Sequence, residues 1–98
     1  MKIIKVQYTV KDDFIETNKK NIKEVMEELK ELDKGVKYFA SNKGNSFVHI
    51  VVLGDDDPGD VIPNLVTFGK FREALQKGAE TKPESEEFTL VDSSFDFT

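Results

Sequence analysis

Apolar positions recur along this chain with two periods, and the switches between them mark out its elements. From Ile3 to Val10 the alternation is strict, with Ile4, Val6, Tyr8 and Val10 on one face and Lys5, Gln7 and Thr9 on the other, which predicts a first strand. Lys11-Asp12-Asp13 ends it. Asp13 followed by Glu16 has the form of a capping box and Thr17 offers a second cap, so a helix starts at one or the other. Asn18, Ile22, Val25, Met26, Leu29 and Leu32 then fall on one stripe at spacings of three and four, while lysines and glutamates fill the rest of the surface. Asn18 is the polar member of that stripe, so its amide is expected to face the sheet. Gly35 suits the left-handed position after a helix, and Val36–Ser41 predicts a second strand.

Asn42-Lys43-Gly44-Asn45 reads as a hairpin turn into Ser46–Leu53, a stretch rich in β-branched side chains. Phe47, Val48, Ile50, Val51, Val52 and Leu53 put apolar groups on both of its sides, which predicts a central strand buried on both faces. The single histidine of the chain, His49, lies within it. A polar ring there needs a partner, since burying it unpaired costs about 1–3 kcal/mol. After Gly54 comes the acidic loop Asp55–Asp60. Val61, Ile62, Leu65, Phe68, Phe71, Ala74 and Leu75 then mark a second helical region, interrupted at Pro63-Asn64, recapped at Thr67 and stopped at Gly78. Thr81–Glu86 reads as a linker, Phe88–Phe95 as the last strand and Asp96-Phe97-Thr98 as a tail.

The order β-α-β-β-α-β is that of an α+β ferredoxin-like sandwich, with two helices on one face of a four-stranded antiparallel sheet. Ninety-eight residues make a single domain with one modest core. Because the helices cover only one face, the other is expected to be covered by a second copy of the chain, packed sheet to sheet as a homodimer.

Composition narrows the function classes. There is no cysteine, hence no disulfide, no thiolate nucleophile and no cysteine-based zinc site, which fits a reducing compartment. The N-terminus lacks the apolar segment of a signal peptide, and no apolar run approaches the roughly 20 residues of a membrane helix, so a soluble cytoplasmic protein is expected. The net charge of −5 argues against nucleic acid or an anionic membrane as partner. Lys43–Ile50 partly matches the RNP1 pattern of RNA-recognition motifs, but of its base-stacking positions only Phe47 is aromatic. Asp55–Asp60 invites a calcium reading, yet the position where an EF-hand loop needs its bidentate glutamate is Val66, so a solvated turn is expected. One histidine without cysteine is too few ligands for zinc, and no metal site is expected.

Tyr8-Thr9-Val10-Lys11 running into Asn18-Lys19-Lys20-Asn21-Ile22, the Phe47-Val48-His49 strand, the helix start Leu65-Val66-Thr67-Phe68-Gly69-Lys70-Phe71 and the closing Leu90-Val91-Asp92-Ser93-Ser94 together resemble the dimeric α/β-barrel superfamily. More narrowly, the chain resembles the antibiotic biosynthesis monooxygenase-like domains. That resemblance implies a homodimer whose paired sheets form a barrel, with a pocket between sheet and helices in each subunit. Some members oxidise aromatic or quinol substrates without a metal or flavin. A haem-degrading branch holds its iron through a histidine on a helix, which the second helical region here lacks, so no cofactor is expected.

His49, with an ordinary pKa near 6.5, is a candidate general base, proton shuttle or ligand-anchoring donor; a structural histidine is the plainer alternative. Asn18, Tyr8 and Tyr38 could complete a polar cluster around a phenol or enolate oxygen, or serve as a helix cap and core tyrosines. Phe68 and Phe71 at helical spacing form a pocket wall or plain core. The expectation is a pocket for a small, largely apolar or aromatic molecule lined by Tyr8, Asn18, Tyr38, His49, Phe68 and Phe71. As an enzyme it would oxidise or isomerise an activated aromatic or enolisable substrate, with His49 accepting a proton and Asn18 and a tyrosine holding the oxyanion. As a non-enzyme it would be a ligand-binding or interaction module of the same fold. Both sides of the His49 strand are apolar, so the sequence leaves open which face the ring takes.

Overall fold

Strand pairing fixes the architecture. The computed structural model describes residues 1–32, 34–57 and 59–97; Pro58 of the acidic loop and Thr98 of the tail lie outside them. Strands β1 (Lys2–Thr9), β2 (Lys37–Lys43), β3 (Ser46–Leu53) and β4 (Glu84–Thr89) form one antiparallel sheet in the order β2-β3-β1-β4. Helix α1 (Ile15–Leu32) connects β1 to β2, and α2 (Val66–Gly78) connects β3 to β4, which is the ferredoxin-like βαββαβ arrangement expected from the element order. Tyr8 and Phe47 from the sheet, with Val10 just beyond β1, pack with Val25 and Leu29 of α1 and Phe71 and Leu75 of α2 in one core, so both helices lie on the same face.

Several boundaries differ from the sequence reading. β1 ends at Thr9, and Val10 makes an isolated bridge to Ala79 instead. No capping box forms at Asp13 and Glu16: the chain enters through a 3-10 turn, Asp12–Phe14, preceded by Lys11 in extended conformation without a side-chain cap, and Thr17 lies inside α1. β2 runs on to Lys43, because Gly44 at φ +59° turns the hairpin in two residues rather than four. The last strand is Glu84–Thr89, not Phe88–Phe95, and takes in the second half of the segment read as a linker. It is an edge strand with every residue exposed, held by ladder bonds to β1; Glu86 stands opposite Lys5 in the register, and Glu87 lies 3.7 Å from the Lys2 ammonium. Apolar alternation is therefore absent where the strand forms.

Helix α2 is capped from a distance. Leu65 occupies the cap position and has no side-chain acceptor, while the Glu28 carboxylate of α1 accepts from the Thr67 N–H at 2.9 Å, the Thr67 hydroxyl at 2.6 Å and the Val66 N–H at 3.3 Å. Thr67 is thus the capped residue and not the cap. The same bonds hold the Glu28 carboxyl below the usual carboxylate range. At the other end, Gly78 lies against Phe14, so closely that a Cβ there would overlap the ring.

On the outer face of the sheet, the register aligns Lys37, Val52, Ile3 and Phe88 in one row and Phe39, Ile50, Lys5 and Glu86 in the next. Phe39 and Phe88 are 56% and 46% exposed. Among the described residues no helix is long and apolar enough to cross a membrane.

Candidate functional site

His49 faces the helices. Strand alternation puts it on the same side as Phe47 and Val51, and the register sets Val6 and Ala40 directly opposite it on the flanking strands. Those two small side chains leave room for an imidazole. The tyrosines come in on the diagonals: Tyr8 pairs with Phe47 and Tyr38 with Val51, each two residues from His49, a separation that an aromatic side chain spans. Both reach the ring. The Tyr8 hydroxyl lies 2.7 Å from His49 Nε2 and the Tyr38 hydroxyl 2.6 Å from Nδ1. Tyr8 also stacks on Phe47, and Phe71 of α2 covers the imidazole at 5.6 Å between centroids.

Asn18 sits behind this cluster. As the helical stripe requires, its side chain faces the sheet; it is wholly buried, and its Nδ2 donates to the Tyr8 hydroxyl at 2.9 Å. That bond orders the rest of the chain. With one lone pair of Tyr8 taken by Asn18, the Tyr8 proton is donated to Nε2, so Nδ1 carries the imidazole proton and donates it to Tyr38. The Tyr38 hydroxyl proton is then the hydroxyl donor left over, and Tyr38 borders the cavity. Turning the amide over would satisfy Oδ1, which has no partner, but would strand both amide hydrogens in the core, a rarer arrangement than an unsatisfied carbonyl.

Burial sets the charge states. His49 is 3% exposed, and desolvation lowers its pKa to about 4, so the ring is neutral at pH 7. Desolvation pushes Tyr8 up to about 12 against the opposing bond from Asn18, and raises Tyr38 further, with Tyr8 nearby adding to the effect. The cluster is a neutral relay of hydrogen bonds at physiological pH.

Beside it opens a cavity of about 290 Å³. At roughly 30 Å³ per water this is room for about ten non-hydrogen atoms, a one- or two-ring molecule. Ile4, Val6 and Tyr8 of β1, Tyr38 of β2 and His49 and Val51 of β3 form its floor. Phe68, Phe71, Arg72 and Leu75 of α2 form a wall, and Asp57, Val61, Ile62 and Pro63 a rim. Of the residues expected to line a pocket, Tyr8, Tyr38, His49, Phe68 and Phe71 do so, whereas Asn18 is one residue removed, behind Tyr8. Arg72 was not expected; its place one residue after Phe71 and four after Phe68 was the signal for it. Among the described residues no three acidic or histidine side chains converge as a metal site.

No protein-family profile matches the chain, and no curated protein matches it in sequence. Solved structures do match in shape. A putative antibiotic biosynthesis monooxygenase from Bacteriodes thetaiotaomicron superposes with a TM-score of 0.82 at 15% identity, covering 97% of this chain and 93% of its own. SnoaB, a cofactor-independent oxygenase from Streptomyces nogalater, gives 0.71 at 18% identity over 97% of both chains. A protein of unknown function from Nitrosomonas europaea gives 0.78 at 11% identity, over 97% and 93%. The chain therefore has the βαββαβ fold of the antibiotic biosynthesis monooxygenase structures.

Proposed function

We propose that this protein binds a one- or two-ring hydroxyaromatic or enolisable molecule in the cavity, and that it oxidises that molecule with oxygen without a cofactor. The observation that carries the proposal is the single hydroxyl donor, Tyr38, at the edge of a largely apolar chamber. Such a donor, backed by the Nδ1–H of His49, suits a ligand oxygen that gains negative charge as it reacts. SnoaB, of the same fold, is a cofactor-independent oxygenase.

Tyr38 is the group that touches the substrate, and His49 acts through it. Both ring nitrogens are occupied, so His49 can take up a substrate proton only by relay through a tyrosine. Moving a proton from a phenol of pKa about 10 to an imidazole at about 4 is uphill by roughly 8 kcal/mol, which favours the donor role over the basic one. The quinol releases one hydroxyl proton to solvent water, and the resulting quinolate, its oxygen held by the Tyr38 hydroxyl, carries carbanion character at the ring carbon next to the C–O carbon. That carbon bonds to oxygen, and with one proton from solvent gives a hydroperoxide. Breaking the O–O bond with loss of water leaves a carbonyl. For 1,4-dihydroxynaphthalene the balance is quinol plus oxygen to 2-hydroxy-1,4-naphthoquinone plus water.

Oxygen uptake with that quinol tests the reading. The expected product carries one heavy-oxygen atom from labelled oxygen gas, and Tyr38→Phe lowers kcat by about 10²–10³-fold. A wild-type rate equal to that without protein would leave the non-enzymatic ligand-binding module instead. We further propose that the outer sheet face, through its apolar members Phe39, Ile50, Ile3 and Phe88, pairs with a second copy. Sedimentation at about twice 11.1 kDa, returned towards the single mass by Phe39→Glu, is the expected result.

A further inference from the structure

We propose that Arg72 makes the cavity selective for a ligand with an aromatic body inside and a carboxylate at the mouth. The proposal rests on the pocket reading above and adds the chemical class of the group that stays outside. Arg72 is the only arginine of the chain, all other basic residues being lysine. It projects from the same helix face as Phe68, four residues earlier, and its guanidinium stands 6.0 Å from the centre of that ring, which is a cavity wall. Stacking on a ring leaves the edge of the guanidinium fork free, and that edge matches a carboxylate with two parallel bonds.

The pairing is not already made. The chain has 19 acidic residues, yet among the described residues none lies within ion-pair distance of Arg72. Asp57 borders the same cavity, but one of its oxygens accepts the Gly59 N–H at 2.8 Å. Outside the chamber a second, more polar cavity of about 440 Å³ shares Arg72, Leu75 and Pro83 with the first and adds Glu80 and Lys82. The charges of Glu80 and Lys82 offset each other, and Asp57 balances Arg72 in net charge without forming an ion pair with it, so Arg72 supplies an unpaired guanidinium where the two cavities meet. The net charge of −5 gives an anion no long-range attraction, and the selectivity is therefore local.

Two ligands with the same rings separate the contributions: 2-naphthol and 6-hydroxy-2-naphthoate, titrated by their own fluorescence. In the wild-type protein the naphthoate is expected to bind about tenfold tighter, the scale of a charge-assisted bidentate contact. In Arg72→Gln the ratio of the two affinities falls to about one, in Arg72→Lys it is kept in part, and raising the salt concentration lowers it. Tyr38→Phe weakens both ligands and keeps the ratio. A ratio near one in the wild-type protein, or one unchanged by Arg72→Gln, overturns the proposal while Tyr38-dependent binding of 2-naphthol leaves the pocket reading standing. If neither ligand binds, both fall together.

Discussion

The Tyr38 hydroxyl and Nδ1 of His49 lie 2.6 Å apart, so the only imidazole in the chain is held at both nitrogens by phenols and reaches nothing else directly. The pair belongs to a relay that starts at a buried amide and ends at a cavity.

Burial of His49 has a cost that depends on pH. Its folded pKa near 4 lies below the ordinary 6.5, so between those values the unfolded chain binds more protons than the folded one. The contribution to stability is therefore full above pH 6.5 and is lost as the pH falls towards 4. From pH 7 to 5 the expected loss is about 2 kcal/mol from this group alone. Urea unfolding of the wild-type protein and His49→Phe at the two pH values checks it: the step should be smaller by that amount in the variant, and equal steps would place the titration elsewhere.

Asn18 is expected to govern the tautomer of His49 more than the stability of the fold. Its Oδ1 is already unsatisfied and it spends one bond on Tyr8, so Asn18→Leu should cost about 1 kcal/mol or less. Nitrogen NMR of the ring should report an Nδ1–H tautomer in the wild-type protein and a mixture in the variant. A variant with an unchanged tautomer would mean that Tyr8 and Tyr38 suffice to orient the ring.

The docking of the two helices turns on Glu28. Glu28→Ala should lower Tm at neutral pH, because it frees the Thr67 hydroxyl and two N–H groups at the start of α2. The folded pKa of this carboxyl is depressed, so its contribution is present above the ordinary value of 4.5 and is lost as the pH falls through the folded value. The difference in Tm between wild-type and variant should accordingly shrink in acid. A difference independent of pH would assign the effect to packing.

Gly78 tests the other end of α2. A methyl group there would overlap the Phe14 ring, so Gly78→Ala should destabilise by about 1–3 kcal/mol although alanine is the better helix former. Phe14→Leu in the same chain should recover part of the loss, measured as a non-additive pair of unfolding free energies. Strict additivity would contradict the contact.

Elements whose burial sets their pattern were legible in the sequence. The alternation of β1 and β3, the stripe of α1 and the β-α-β-β-α-β order all follow from which side chains face the core, and the inward turn of Asn18 follows from its place on that stripe. What failed to show is set by partners distant in sequence. Glu28 caps a helix 39 residues away from Thr67 in sequence, and no local motif announces it. β4 is an exposed edge held by backbone bonds to β1, with a Lys2–Glu87 ion pair beside them, so it carries no hydrophobic period. The face of His49 was undecidable from a strand that is apolar on both sides; Val6 and Ala40 opposite it, known only from the register, decide it.

The central claim is that Tyr38 presents a proton to a ligand oxygen inside the cavity. The direct measurement compares the affinities of 1,4-naphthoquinone, which can only accept hydrogen bonds, and naphthalene, in the wild-type protein and in Tyr38→Phe. Without cysteine, the chain offers the quinone no thiol to add to. The quinone is expected to bind the wild-type protein about tenfold tighter than naphthalene, and the preference should vanish in Tyr38→Phe while naphthalene binds both alike. A preference that survives the loss of the hydroxyl, or none in the wild-type protein, would contradict the account.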